Sequence, residues 1–265
     1  MSQPQAAAPP ARRLALVVEY DGTGYAGFQL QAGQPTIQGE LEQALARFTG
    51  VGVRVRAASR TDSGAHARGQ VVDFLTYSAH PVAYFPRALN FYLPPEIQVQ
   101  AAYEMAPEFH SRRSASSRTY RYYILNRCWP SPVRRHTHYW VKSWLDVARM
   151  AAAAQSLVGS HDFRPLAGAY PDGRSTVRSV SRWEVWREQD TVIIECEANG
   201  FLRHQIRRTN ALLIEIGNGK WPLEMLYDAL NGKLKDAIKW PTIPARGLIL
   251  MKVTYPNFAP LSPHC

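Results

Sequence analysis

The chain has 265 residues, with 31 Lys and Arg against 21 Asp and Glu and a net charge of +10 with histidine neutral, so a large acidic partner suits it. Its 46% hydrophobic content, including 7 Trp, 13 Tyr and 9 Phe, supplies a substantial core and excludes wholesale disorder. No apolar run is long enough to cross a bilayer, and three scattered cysteines with no CxxC pair or zinc-like histidine spacing give no reason to expect disulfides or a structural metal.

Residues 1–13 (MSQPQAAAPPARR) are small, Pro-rich and free of acids, which reads as a loose tail. They lack the apolar centre of a secretory signal, and they carry too few Arg and Ser for an organellar transit segment, so a cytoplasmic setting is expected. Residues 14–20 (LALVVEY) read as a buried strand. In residues 36–49, Ile37, Leu41, Ala44, Leu45 and Phe48 share one helical face. Residues 51–57 alternate as a strand, 70–75 form another, 83–91 a short helix and 97–103 a further strand. The second half repeats this order with longer pieces: strand 119–125, helix 144–157, strands 179–186 and 192–197, helix 202–217 and strand 248–255. A further helix is expected at 221–230, and Pro256 closes the last strand because proline cannot continue a central ladder. The expected fold class is α+β, with two ferredoxin-like (RRM-like) units over residues 14–105 and 106–256 and a loose end at 257–265.

The excess charge is unevenly placed. Residues 109–145 contain no Asp or Glu, while Arg112, Arg113, Arg118, Arg121, Arg127, Arg134, Arg135 and Lys142 alternate with Tyr120, Tyr122, Tyr123, Trp129, Tyr139, Trp140 and Trp144. Guanidinium groups neutralise phosphates and aromatic faces stack on unpaired bases, so the stretch fits single-stranded or looped RNA. Gly22, Gly24 and Gly27 satisfy GxGxxG, but Gly33 and Pro35 postpone the following helix to Thr36. A dinucleotide site needs that helix to open inside the glycine loop, so none is expected. The loop Ser59-Arg60-Thr61-Asp62-Ser63-Gly64-Ala65-His66-Ala67 lies between two strand-like segments, with a cation two residues from its single carboxylate. Spacing alone fits two readings equally: a turn in which Asp62 caps backbone amides, and an ionised aspartate acting as nucleophile or base.

The segment Arg60-Thr61-Asp62-Ser63-Gly64-Ala65-His66-Ala67 resembles the RTDxGVHA motif of the TruA family of tRNA pseudouridine synthases. Glu19-Tyr20-Asp21-Gly22-Thr23 with Gly27-Phe28-Gln29, Thr36-Ile37-Gln38, Ala88-Leu89-Asn90, Leu93-Pro94, Phe109-His110 and Arg118-Thr119-Tyr120-Arg121-Tyr122 follow the family's order. Asn199-Gly200-Phe201 with Arg207, and Gly247-Leu248 through Tyr255, complete the series, which spans about residues 14 to 256. The resemblance implies the pseudouridine-synthase fold, with its two units joined around a central cleft, and an isomerase that works without cofactor or metal. Such an enzyme detaches the uracil of a tRNA uridine from C1′, turns it and rejoins it through C5, in the family at positions 38–40 of the anticodon stem-loop. By resemblance, Asp62 is the catalytic aspartate and Tyr120 the active-site tyrosine. Arg207 is the aspartate's basic partner, Arg60 helps to displace the target nucleotide, and Leu248 packs beside its base. His66, Arg112, Arg118, Arg121 and Arg203 are the further candidate RNA contacts, and a homodimer is the implied assembly. A non-catalytic RNA-binding relative would share the charge pattern, but binding alone has no use for the Asp62 carboxylate. Ser63 and Ala65 replace the commoner Ala and Val, and Ala211 stands where the family usually has glycine; if close helix packing needs that glycine, the expected effect of the methyl is a shift of the helix carrying Arg207.

Overall fold

The computed structural model describes residues 10–169, 173–233 and 241–260. The expected terminal tails lie outside these residues, apart from 10–13 and 257–260. The first half comprises β1 (Arg12–Tyr20), α1 (Ile37–Thr49), β2 (Arg56–Ala57), β3 (His66–Thr76), α2 (Tyr84–Tyr92) and β4 (Ile97–Met105). The second comprises β5 (Ser117–Asn126), β6 (Tyr139–Val141), α3 (Val147–Ala154), β7 (Gly159–Asp162), β8 (Val177–Glu188), β9 (Thr191–Ala198), α4 (Gln205–Gly217), α5 (Met225–Leu230) and β10 (Leu248–Thr254).

Local chemistry accounts for these elements. α1 begins where the Thr36 side chain accepts a hydrogen bond from the Gly39 amide and ends at Gly50, whose φ of 74° suits the left-handed cap. Its buried Ile37, Leu41, Ala44 and Leu45 face the sheet side of the core, each large side chain contributing about 1.5–3 kcal/mol of burial. β1 is buried along most of its length, as its near-continuous apolar run requires.

One mostly antiparallel sheet contains all ten strands along the path β4-β1-β3-β10-β5-β9-β8-β7, with β2 added to β3 and β6 to β5. β10 pairs with β3 in parallel, through Ile249 with His66 and Leu250 with Ala67, and with β5 antiparallel. β2 occupies the other end of the same β3 edge, opposite Asp73 and Val72. Gly69 permits the approach of β10, since a Cβ there would lie 2.6 Å from the Met251 carbonyl oxygen. The β2–β3 loop, residues 58–65, therefore lies along the boundary between the two halves, and buried side chains of both halves form one continuous core.

Asp73 ties the first half together. Its fully buried carboxylate accepts from Arg13 Nη1 at 3.0 Å, from the Arg56 guanidinium and from the Ser111 amide at 2.9 Å. A buried carboxylate requires such partners, and losing one would leave charge uncompensated.

Several expectations change. The strand expected over 51–57 shrinks to Arg56–Ala57, opposite Asp73 and Val72; residues 51–55 alternate in sequence without joining the β3 ladder. The loose tail does not extend to residue 13, because Arg12 and Arg13 already pair with Thr76 and Leu75. The helix expected over 144–157 narrows to Val147–Ala154 plus a 3-10 turn, with Asp146 capping the Arg149 amide. That over 202–217 starts at Gln205, after His204 at φ 61°. Strands β6 and β7 had no clear alternation in the sequence. At the far end, Phe258 packs on Tyr103 and Phe109.

Candidate active site

Loop 58–65 is held from beneath. Gln70, fully buried on β3, donates from Nε2 to the Ser59 carbonyl at 2.7 Å and accepts from the Ser59 amide at 3.3 Å. The Tyr20 hydroxyl lies 2.8 Å from Thr61 Oγ1, and burial pushes the Tyr20 phenol up to about 12, so it stays neutral. Two glycines of the opening GxGxxG pattern, Gly22 and Gly27, serve this loop. A Cβ on Gly22 would lie 2.0 Å from the Ala65 carbonyl oxygen, and one on Gly27, at φ 103°, 2.9 Å from that of Thr61.

The loop presents Asp62 to α4. Asp62 Oδ2 accepts from Arg207 Nη1 at 2.8 Å, while Arg207 Nε donates to the Ile243 carbonyl at 2.7 Å. The side chains retain 26% and 15% exposure, so the carboxylate is partly shielded yet reachable. α4 runs unbroken through the buried Ala211, and its methyl does not hold Arg207 away from Asp62, contrary to the expected shift. Sequence reasoning passed over His204, whose Nε2 lies 4.0 Å from Asp62 Oδ1. Its signal was slight: a histidine three positions before Arg207.

Tyr120 on β5 is buried, with its hydroxyl 2.7 Å from Ser59 Oγ and its ring edge-on to Phe201 at 5.5 Å. Burial raises its phenol far above the ordinary tyrosine value, keeping it protonated. Asp62 and Tyr120 thus share one loop, Asp62 as part of it and Tyr120 through Ser59. Leu248 opens β10 opposite Tyr122 and is buried.

The remaining candidates separate. Arg60 is exposed, has no hydrogen bond or ion pair among the described residues, and joins Arg54, Arg56, Arg112, Arg113 and Arg174 around a groove of about 530 Å³ that, among the described residues, no carboxylate lines. Arg54 and Arg56 also meet Glu42 and Asp73. Arg203 is exposed just ahead of α4. Arg118 is buried and donates to the carbonyls of Ala115, Asn199 and Ala58 at 3.2, 2.7 and 3.2 Å, so it knits the chain rather than facing a phosphate. His66 is also buried: Nε2 lies 2.9 and 3.1 Å from the carbonyls of His136 and Arg246, and Nδ1 3.0 Å from Asp21 Oδ1. It latches β3 to two loops of the second half and does not line the groove. Arg121 pairs with Glu195 at 2.6 Å. A second hollow of about 600 Å³ beside β6 and the end of α4 holds none of the candidate residues.

Comparison with known proteins identifies the family. The family model described as tRNA pseudouridine synthase matches residues 16–112 and 153–256. The chain is 40% identical over 239 residues to tRNA pseudouridine synthase A of Halalkalibacterium halodurans, covering 90% of each chain. It is 43% identical over 252 residues to the protein of that name from Roseiflexus castenholzii, covering 93% of this chain and 92% of the relative. With that of Geobacter sp. strain M21 it shares 37% identity over 246 residues, covering 93% of this chain and all of the relative.

Proposed function

The chain belongs to the tRNA pseudouridine synthase family, and from that premise we propose that it isomerises uridine to pseudouridine in tRNA with Asp62 as its reactive carboxylate. The observation that carries this is the 2.8 Å contact between Asp62 and Arg207, which unites two motifs from opposite ends of the chain at the boundary between its halves. In the reaction the N1–C1′ bond breaks, the uracil turns, a C5–C1′ bond forms, the C5 proton leaves and N1 takes up a proton. An isomerisation of this kind balances without an external oxidant or reductant.

Each residue's part follows from its setting. Arg207 holds and aims the Asp62 carboxylate through its 2.8 Å hydrogen bond to Oδ2. Tyr120, neutral and anchored through Ser59, offers an aromatic face to the base, and Leu248 offers an apolar one. Arg60, free to move at the mouth of the basic groove, takes the place of the extruded nucleotide, since C1′ and C5 are out of reach in a stacked base. The groove's arginines hold the flanking phosphates, with Arg112 and Arg203 among the RNA contacts. Arg121, His66 and Arg118 act behind them by fixing the strands.

The finer features of the reading are the anticodon stem-loop at positions 38–40 as target, a homodimer that extends the basic face, and a cytoplasmic setting. Among the described residues no helix is long and apolar enough to cross a membrane. Two ferredoxin-like units, over about residues 14–105 and 106–256, are supported by strand order. The first half runs β4-β1-β3 with β2 on β3, and the second runs β10-β5-β9-β8, the same permutation of a βαββαβ chain. The test is incubation of the protein with tRNA transcripts, followed by sequencing that maps pseudouridine. Modified uridines with the wild type and none with Asp62→Asn is the expected result; no pseudouridine in any tRNA would overturn the reading.

A further inference from the structure

Rejoining uracil through C5 leaves a proton on that carbon, and aromaticity returns only when a base removes it. C5 is then bonded to C1′, the atom beside which Asp62 works, so the base must stand within a few ångströms of the Asp62 carboxylate. Arg207 is a permanent cation and holds Oδ2. Tyr120 is tied to Ser59, and deprotonating its buried phenol is unfavourable. On the other side of the carboxylate stands His204, its Nε2 4.0 Å from Oδ1 and its side chain 26% exposed.

The geometry points to His204 as the base that takes the C5 proton, an inference that rests on the isomerase reading above. The C5–H electron pair restores the C5=C6 double bond, the proton passes to Nε2, and the imidazolium returns it to water through its exposed edge.

The local backbone is shaped to place this ring. His204 sits at φ 61°, ψ 2°, a left-handed conformation that strains a branched or bulky residue and that glycine adopts freely. No side chain caps α4 at this position, so helix capping does not account for a histidine there. The adjacent Gly168 leaves room for the imidazole: a Cβ at that position would lie 3.2 Å from His204 Nδ1. The Gly168 amide donates to the Arg203 carbonyl at 2.7 Å, fixing the two segments against each other. Among the described residues, the charged groups facing the ring are Asp62 from the β2–β3 loop and Arg203, Arg207 and Arg208 from α4 and its approach; Ala167 and Gly168 add none. Burial pushes the imidazole below the ordinary histidine value, Asp62 opposes this, and Arg207, Arg203 and Arg208 reinforce it, so the ring is a neutral acceptor near pH 7.

His204→Asn and His204→Gly suit the left-handed backbone and remove the base. The measurement is single-turnover pseudouridine formation on tRNA carrying either uridine or 5-deuterouridine, with tRNA affinity and melting temperature recorded alongside. Both variants are expected to melt no lower than wild type and to bind tRNA unchanged. Their turnover should fall by about 10²-fold or more, with deuterium slowing the variants more than the wild type, because C5 deprotonation has become the slow step. Wild-type turnover in either variant, or a slow variant insensitive to deuterium, would overturn the assignment. Absence of product with the wild type would instead fail the isomerase reading itself.

Discussion

Two arginine-rich regions of this molecule meet carboxylates in opposite ways. Around loop 58–65 a single reachable carboxylate, Asp62, has Arg207 at 2.8 Å and His204 at 4.0 Å, with Arg60 unpaired among the described residues beside it. Around β5 and β6, Arg127 and Arg134 converge on Asp190 at 3.2 and 2.6 Å, and Arg121 and Arg182 meet Glu195 at 2.6 and 2.8 Å. In the first region positive charge outruns its partners and leaves a field directed at whatever enters the groove. In the second every named arginine is engaged by a carboxylate, and the Asp190 pairs hold the turn of the β8–β9 hairpin to the stretch after β5. A run of arginines therefore predicts little about ligand binding until their carboxylates are placed.

The sharpest break between the regions is expected at Asp62. Asp62→Asn keeps the side chain's size and removes the reactive charge, so turnover should fall by roughly 10⁴-fold while tRNA affinity, measured by filter binding, changes little. A variant retaining near wild-type turnover would remove Asp62 from the chemistry. Arg207→Ala comes next. Without its partner the carboxylate loses its alignment and the opposite charge beside it, which should lower turnover by about 10²–10³-fold. Arg207→Lys, which cannot reproduce the planar contacts to Asp62 and Ile243 together, should recover only part of that loss.

The groove and the paired stretch separate most clearly in salt. Replacing Arg60, Arg113 or Arg174 by Gln should reduce the slope of log affinity against log salt by about 0.7–0.9 for each phosphate that is no longer neutralised. Arg127→Gln and Arg134→Gln should change that slope less, because both guanidinium groups are engaged by Asp190. Equal slopes across both sets of variants would mean that the groove is not where phosphates bind.

The sequence showed the order of elements and the Asp62 loop because both rest on short-range patterns: apolar periodicity, Thr36 and Gly50 at helix ends, and a contiguous motif. It misjudged what depends on long-range placement. Arg118 looked like a phosphate contact until its donors were seen on the carbonyls of Ala58, Ala115 and Asn199. The acid-free stretch 109–145 looked uniformly free, since Asp190 and Glu195 lie far along the chain and reach it only through the β5–β9 ladder. β2 was overextended because residues 51–57 alternate well, and nothing local reveals that only Arg56 and Ala57 pair with β3. His204 escaped notice because its significance comes from a left-handed backbone and from a carboxylate on a distant loop.

The smallest effect, and the one that best isolates the structural role of the second region, concerns Asp190. Its carboxyl is held below the ordinary value of 3.8 chiefly by the hydrogen bond from Arg134, with burial opposing and the charges of Arg134 and Arg127 adding. A carboxyl whose folded value is depressed stabilises the fold above its unfolded pKa, and that stabilisation disappears as pH falls through the folded value. Asp190→Asn should therefore cost up to about 1 kcal/mol at neutral pH, the range of a largely accessible ion pair, and the difference from wild type should narrow as pH drops below about 4. Urea denaturation of both proteins at pH 7 and at pH 3 checks this, provided both unfold reversibly at each pH. Turnover at neutral pH should be the same in the two, because Asp190 neutralises arginines that serve the hairpin and not the groove. A gap that stays constant with pH would show that Asp190 acts through packing or hydrogen bonding alone, and a lowered turnover would place the β5–β6 arginines in the substrate's field after all.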